Sequence, residues 1–364
     1  MEHKHFKLAV IPGDGIGNEV INEGLRVIDH LARISDNSFS FEKDYFPWGC
    51  EYYLKHGKMM DEDGLDQIKN HDAIYFGAVG FPTVPDHISL WGLRIAICQG
   101  FDQWANIRPV EFLPGVESKL NHPGKEDLNW VLVRENTEGE YSGIGGRNFT
   151  GRGKGKEVAV QSSLFTEEGC ERVIRYAFQL ALKRKRKKVT SVTKSNAQQY
   201  GMVLWDEVFA RVSKDFPEVE TDQWLVDAMA AQFVLHPEEL EVVVASNLIA
   251  DILSDLGSAL AGSLGIASSA NLNPEGRYPS MFESVHGSAP DISGKGIANP
   301  IGAIGSAALM LENLGLADEA SLINKAIRET TQEGVLTADI GGNNSTKEVT
   351  DTIISHLSKL YRSI

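Results

Sequence analysis

The sequence predicts an α/β protein built as two domains, and three observations predict it. Short runs rich in β-branched and aromatic residues alternate with amphipathic stretches over nearly the whole chain, which is how strands taking turns with helices read. At 364 residues the chain is too long for one small core. A hydrophobic content of 42% with 35 glycines suits a globular protein with a sizeable core and many tight turns.

In chain order, strands are expected at 7–11, 73–76, 130–133, 158–161, 189–193, 224–226 and 242–245, each a short run such as Trp130-Val-Leu-Val133 or Val242-Val-Val-Ala245. Helical periodicity falls near 18–33, 167–185, 198–215, 247–265, 301–314, 317–333 and 346–361. The Gly/Pro-rich stretches near 143–156 and 271–279 read as excursions between elements, the first as a candidate arm or hairpin toward another subunit. The basic run Lys183-Arg-Lys-Arg-Lys-Lys188 is expected to close a helix that begins near Thr166, where cations complement the negative end of the helix dipole. It lacks interleaved aromatics, so nucleic-acid binding on an enzyme-like fold is the weaker alternative.

Composition narrows the function classes. A formal net charge of −15 repels nucleic acid and anionic membrane, so a small anionic substrate has to be drawn in by local arginines. Three cysteines, Cys50, Cys98 and Cys170, without CxxC spacing, predict neither a disulfide framework nor a thiolate zinc site, and suit a reducing compartment. The start Met1-Glu-His-Lys-His5 has no apolar leader and no run of 18 apolar residues occurs, so a cytoplasmic enzyme is expected.

Asp251 and Asp255 carry the sharpest chemical signal. They lie one helical turn apart in the apolar run Asn247-Leu-Ile-Ala-Asp-Ile-Leu-Ser-Asp-Leu256, so two carboxylates emerge side by side from a segment that reads as buried. At roughly 6 Å and an effective dielectric of about 20, such charges repel by about 3 kcal/mol. A hard divalent cation, Mg²⁺ or Mn²⁺, relieves that repulsion. Leu248, Ile249, Ile252, Leu253 and Leu256 are expected to leave little room for a wet face.

Two glycine-bearing loops stand out. Gly13-Asp-Gly-Ile-Gly17 follows the first strand, but its third glycine comes one residue early for the G-x-G-x-x-G dinucleotide fingerprint, so a tight strand-to-helix turn near a ligand is expected. Glu283-Ser-Val-His-Gly-Ser-Ala-Pro-Asp-Ile292, continuing to Asn299-Pro300, is denser in special residues: small ones admit close backbone approach, His286 offers a ring, and Asp291 a carboxylate for ribose hydroxyls.

With these residues in view, the chain resembles the β-decarboxylating hydroxyacid dehydrogenase family, which includes isocitrate, isopropylmalate and tartrate or D-malate dehydrogenases. The marks run from Ile11-Pro-Gly-Asp-Gly-Ile-Gly17 through Asn106-Ile-Arg-Pro109, Val133-Arg-Glu-Asn-Thr-Glu-Gly-Glu-Tyr-Ser-Gly143, Thr193-Lys-Ser-Asn196 and Val226-Asp-Ala228 to Ala338-Asp-Ile-Gly-Gly342. The resemblance implies a non-Rossmann two-domain α/β fold with a large mixed β-sheet: 1–100 with 256–364 holding the cofactor, and 101–255 holding substrate, metal and the dimer contact. It also implies a homodimer with shared active sites.

Carried over by position, the resemblance assigns Arg108 and Arg134 to the substrate carboxylates, since a guanidinium fork matches a carboxylate bidentately. It assigns the metal to Asp251 and Asp255 of one subunit and Asp227 of the other. Lys194, from that other subunit, is implied to deprotonate the C2 hydroxyl, and Tyr141 to protonate the enolate after CO₂ leaves. The cofactor is implied to lie on Glu283, His286, Gly287, Ser288, Ala289, Pro290, Asp291, Ile292 and Asn299. Asp291-Ile292 selects NAD, because a carboxylate accepts the free 2′-hydroxyl and repels a 2′-phosphate. Whether K⁺ also takes part stays open.

One departure bears on substrate. The family's additional substrate arginine falls on Cys98, and the nearest arginine is Arg94, one turn earlier; either Arg94 serves as that arginine or it occupies the position that chooses the substrate's side group. The stretches His87-Ile-Ser-Leu-Trp-Gly92 and Phe101-Asp-Gln-Trp104 look most like the tartrate and D-malate branch. The expected substrate is therefore a small 2-hydroxy dicarboxylate, with 3-isopropylmalate as the alternative.

Overall fold

The computed structural model describes residues 3–36, 38–120, 124 and 128–363. The chain divides into two compact units: the first takes the residues up to Gln103, Arg108–Leu128 and those from Gly257 onward, the second Trp104–Ile107 and Asn129–Leu256. Arg108–Leu128, expected with the second domain, therefore clusters with the first.

Twelve strands occur among the described residues: β1 (Lys4–Gly13), β2 (Phe39–Tyr45), β3 (Ala73–Ala78), β4 (Ala105–Glu111), β5 (Asn129–Glu135), β6 (Gly145–Asn148), β7 (Val158–Gln161), β8 (Lys188–Thr193), β9 (Glu220–Leu225), β10 (Val242–Ala245), β11 (Ser268–Leu272) and β12 (Ser280–Ser284). Ten of them belong to a large mixed sheet.

In the first unit the order is β2-β1-β3-β12-β11, parallel except where β11 runs against β12. Leu8, Ala9, Val10 and Ile11 are wholly buried, as a strand covered on both faces requires. The Gly17–Ile34 helix buries Val20, Ile21, Gly24, Leu25, Val27, Ile28 and Leu31, a stripe at helical spacing. Each fully buried aliphatic side chain there contributes roughly 1.5–3 kcal/mol. The register aligns Gly13 with Ala78 and Glu283 with Phe76, so β1, β3 and β12 end at one edge.

In the second unit β5-β10-β8-β9 are all parallel. Val242-Val-Val-Ala245 is wholly buried, the continuous apolar reading of a central parallel strand. Thr166 caps the Glu167–Leu182 helix, its side chain accepting from Gly169 N at 2.9 Å. The glycine-rich excursion resolves into an antiparallel ribbon of β6 and β7, exposed throughout, with Val158 at 48% and Val160 at 56%.

Several boundaries differ from the sequence expectation, three of them where the chain changes direction. β9 ends at Leu225, opposite Thr193 at the end of its partner, and Val226, without a ladder neighbour, opens the Val226–Leu235 helix. The Asn247–Ala261 helix stops at Gly262, whose φ of +137° no helix accommodates, and Leu264–Ile266 is a separate 3₁₀ turn. The helix expected from 198 begins at Gly201 and tightens into a 3₁₀ turn at Ser213–Asp215. Among the described residues no helix is long and apolar enough to cross a membrane.

Candidate active site

Parallel pairing in the second unit sets its chemistry, because every loop after a strand leaves from the carboxyl edge. Arg134 pairs in register with Ala245 at the end of β10, and the helix beginning at Asn247 follows immediately. The Arg134 Nε and Nη2 donate to Asn247 Oδ1 at 3.0 and 2.6 Å, while Nη1 donates to Asp251 Oδ1. Asn247 Nδ2 in turn donates to Glu138 O at 3.2 Å. The Arg134 side chain is only 4% exposed, so its charge needs this compensation. Its guanidinium carbon also stands 5.4 Å from the centre of the Tyr141 ring. These contacts use three N–H groups of a five-donor fork, and the rest can meet a carboxylate.

Two strands further along, Thr193 at the end of β8 pairs with Leu225 at the end of β9, so the next residues emerge together. Lys194 Nζ donates to Asp227 Oδ1 at 2.5 Å. That hydrogen bond holds the Asp227 carboxyl below the usual carboxylate range.

Asp251 and Asp255 do share a helix face, but that face is not buried within one chain. Asp255 is exposed, Asp251 is half-exposed, and Ile252 between them is 59% exposed. Leu253 and Ile249 turn inward instead. Asp227 does not join this pair within one chain: among the described residues, the only cluster of three or more acidic, His or Cys side chains tight enough for one ion is the exposed set His236, Glu238 and Glu239. Asp251 and Asp255 nevertheless fit part of the shell of a hard cation, as two oxygen donors one turn apart.

In the first unit the loop expected to hold the cofactor leaves the carboxyl end of β12. Arg94 holds its root: Nε donates to Glu283 Oε1 at 2.8 Å and Nη2 to Asn271 Oδ1 at 3.2 Å, with both ionic side chains largely buried. Asn271 Nδ2 also donates to Glu283 Oε1, at 2.7 Å. A residue expected at substrate is thus ion-paired with one expected at cofactor. Cys98 faces the core beside Leu93, Ile97, Phe101 and Met281. Arg108 lies in β4, 7% exposed.

Beyond Glu283, His286 Nδ1 lies 2.9 Å from Gly287 O, and Nε2 is buried without a hydrogen-bond partner. Burial pushes the imidazole below its ordinary range, so the ring is neutral and Nε2 is an open acceptor. Ala289 adopts φ +38°, a left-handed conformation unusual for a residue with a side chain. Pro290 and Asp291 are exposed, Ile292 is half-buried and Ser288 is buried. An orphaned acceptor in a loop of small residues fits an adenosine group. Asn299 is held in place by its own contacts: its amide donates to Asp339 Oδ2 at 3.1 Å and accepts from Ile301 N at 3.0 Å.

The turn Gly13–Gly17 proves to be the seat for that loop. Ile16 N donates to Ser288 O at 2.8 Å, and a Cβ on Gly15, at φ +55°, would stand 2.0 Å from the same oxygen. Asp14, 5% exposed, accepts from Cys50 N at 2.7 Å and Gly80 N at 2.9 Å, tying three segments together.

Over residues 7–353 the chain matches the family described as isocitrate/isopropylmalate dehydrogenase. The chain belongs to that family. Within the isocitrate/isopropylmalate dehydrogenase family it is 55% identical to a probable tartrate dehydrogenase/decarboxylase of Agrobacterium vitis, over 96% of this chain and 97% of the relative. It is 50% identical to the decarboxylating D-malate dehydrogenase of Escherichia coli, over 96% of this chain and 98% of the relative. The crystal structure of isocitrate dehydrogenase from Methylococcus capsulatus superposes with a TM-score of 0.87 at 33% identity, covering 97% of this chain and 99% of that one. The isocitrate/isopropylmalate dehydrogenase fold is therefore the observed one.

Part of the basic run is built into the fold as ion pairs. The helix ends at Leu182, so the run does not close it as expected: Lys183 is the cap and Lys188 already begins β8. Arg184 and Arg186 converge on the buried Glu241 at 2.7 and 2.8 Å, and Lys188 reaches Asp222 at 3.1 Å. Sequence reasoning missed Asn247, Asp14 and Asp339. Asn247 had a signal, a hydrogen-bonding residue opening the aspartate helix. Asp14 and Asp339 sit in motifs already noted, but their partners come from distant segments.

Proposed function

We propose that this chain oxidises tartrate and oxidatively decarboxylates D-malate to pyruvate and CO₂, using NAD and Mg²⁺ or Mn²⁺, as a homodimer whose sites are shared. The observation that carries the reading is identity of 50% and 55%, over 96% of the chain, to relatives named for those two substrates. The Arg134, Tyr141 and Asp251 group supplies chemistry that suits a small 2-hydroxy diacid.

When bound, the divalent ion supplies Lewis-acid stabilisation of the C2 oxygen and NAD takes up the hydride. Asp251 and Asp255 of one subunit, with Asp227 of its partner, would hold the ion. Arg134 and Arg108 grip the substrate carboxylates through planar forks. Lys194, hydrogen-bonded to Asp227, would in its amine form accept the C2 hydroxyl proton. Tyr141, beside Arg134, returns a proton to the carbon that has lost CO₂. The exposed Ile252 and the apolar side chains of β7 are surfaces a second copy would cover.

The test is a substrate screen of D-malate, the tartrate isomers, 3-isopropylmalate and isocitrate, each with NAD and Mn²⁺. D-malate and tartrate should give the highest kcat/KM. A strong preference for 3-isopropylmalate would reject the substrate assignment.

A further inference from the structure

We propose that Glu19 is the positioning residue of the dinucleotide loop, setting where Asp291 points and hence how tightly the adenosine half of the cofactor is held. The inference rests on the reading of residues 283–292 as the cofactor loop and goes beyond it.

Glu19 lies in the first turn of the Gly17–Ile34 helix, where an acidic residue ordinarily does no more than offset the helix dipole. Here its two oxygens do something else. Oε1 accepts from Gly294 N, and Oε2 accepts from Gly296 N at 3.1 Å. Those glycines flank Lys295 and have φ of +76° and +66°, a left-handed pair that turns two N–H groups toward one carboxylate. The far side of the turn is pinned too, with Thr346 N donating to Gly296 O at 2.9 Å.

Asp291 sits between this anchor and the earlier one at Ser288 O. Ile16, which caps the helix that carries Glu19, and Val20 within that helix pack against Ala289 and Ile292, so the loop is fastened to one helix and its cap on both flanks of Asp291. Asp291 itself is exposed and its side chain makes no hydrogen bond among the described residues. Its direction is therefore set by its backbone, and that backbone is set by Ile16, Val20 and Glu19. Without the carboxylate, Gly294 and Gly296 recover the freedom that glycine has in an untethered turn. The binding-competent loop conformation becomes one of several, and apparent affinity falls by the fraction lost.

The experiment measures ADP-ribose binding calorimetrically, together with kcat and the KM for NAD, on the full chain and on Glu19→Ala and Glu19→Gln. Loss of two charge-assisted hydrogen bonds should weaken ADP-ribose by about tenfold in Glu19→Ala, with a matching rise in the KM for NAD. At saturating NAD, kcat should stay within about twofold. Glu19→Gln, which keeps one acceptor oxygen, should fall between the two, and it is read in the same way if the alanine variant does not fold. Unchanged ADP-ribose affinity in the folded variants overturns the proposal, as does a drop in thermal stability unaccompanied by any loss of affinity. If the unaltered protein does not bind ADP-ribose, it is the cofactor-loop reading that fails.

Discussion

Lys194 and Asp227 form a hydrogen bond of 2.5 Å within one chain, because β8 and β9 run parallel and end in register, at Thr193 and Leu225. Asp251, on the helix after β10, pairs instead with Arg134 at the end of β5. In the proposed dimer each active site takes the first pair from one subunit and the second from the other. Lys194→Met and Asp251→Asn homodimers should each lose about 10²–10⁴ in kcat. Mixing them after dissociation should restore about a quarter of the original activity, since half of the dimers are hybrid and each hybrid holds one intact site. No recovery on mixing would place all the catalytic groups in one subunit.

Arg134→Lys should raise the KM for the dicarboxylate about 10- to 100-fold. The ammonium cannot reproduce a fork that spans Asn247 and Asp251 while offering further N–H groups. Steady-state kinetics with D-malate checks it. The same variant should need more Mn²⁺ for half-maximal rate, because Asp251 loses the partner that orients it.

The depressed pKa of His286 predicts a pH dependence with a definite sign. Folding keeps the imidazole neutral, so the unfolded chain binds more protons there and stability falls as pH drops below the ordinary histidine value of about 6.5. The neutral ring is what accepts a hydrogen bond through Nε2. NAD affinity should therefore stay level through pH 6.5 and weaken only at more acid pH, when His286 protonates. Calorimetric titration across pH 5 to 8 tests this; a fall centred at about 6.5 would mean that the ring titrates as if free in water.

Asp291→Ser should narrow the preference for NAD over NADP by about tenfold or more, chiefly by improving NADP, since removing the carboxylate relieves repulsion of the 2′-phosphate. Comparing kcat/KM for the two cofactors decides it. Equal values in the unaltered protein would remove Asp291 as the selector.

Gly15→Ala should cost about 1–3 kcal/mol of stability and raise the KM for NAD. The added Cβ would stand 2.0 Å from Ser288 O in a left-handed backbone, so the proposed cofactor loop has to move off its seat. Thermal unfolding and NAD kinetics on one preparation check both halves.

The sequence by itself determined the elements whose signal is local. Val242-Val-Val-Ala245 reads as a strand because three consecutive β-branched side chains favour the extended backbone, and Asp251 and Asp255 share a face because helical spacing compels it. Family membership was legible too, since its marks are contiguous strings of residues. What only the tertiary structure decided depends on register between segments far apart in the chain. Arg94 meets Glu283 across 189 residues, Glu19 meets Gly294 across 275, and Arg184 and Arg186 share Glu241, which ties part of an apparent basic patch into ion pairs. The wetness of the aspartate face was decided there as well: a hydrophobic count over Leu248 to Leu256 cannot tell which apolar residues turn inward, and Ile252 turns out. Periodicity along a chain fixes which side chains share a face, whereas the partner of that face is set by packing that no local pattern encodes.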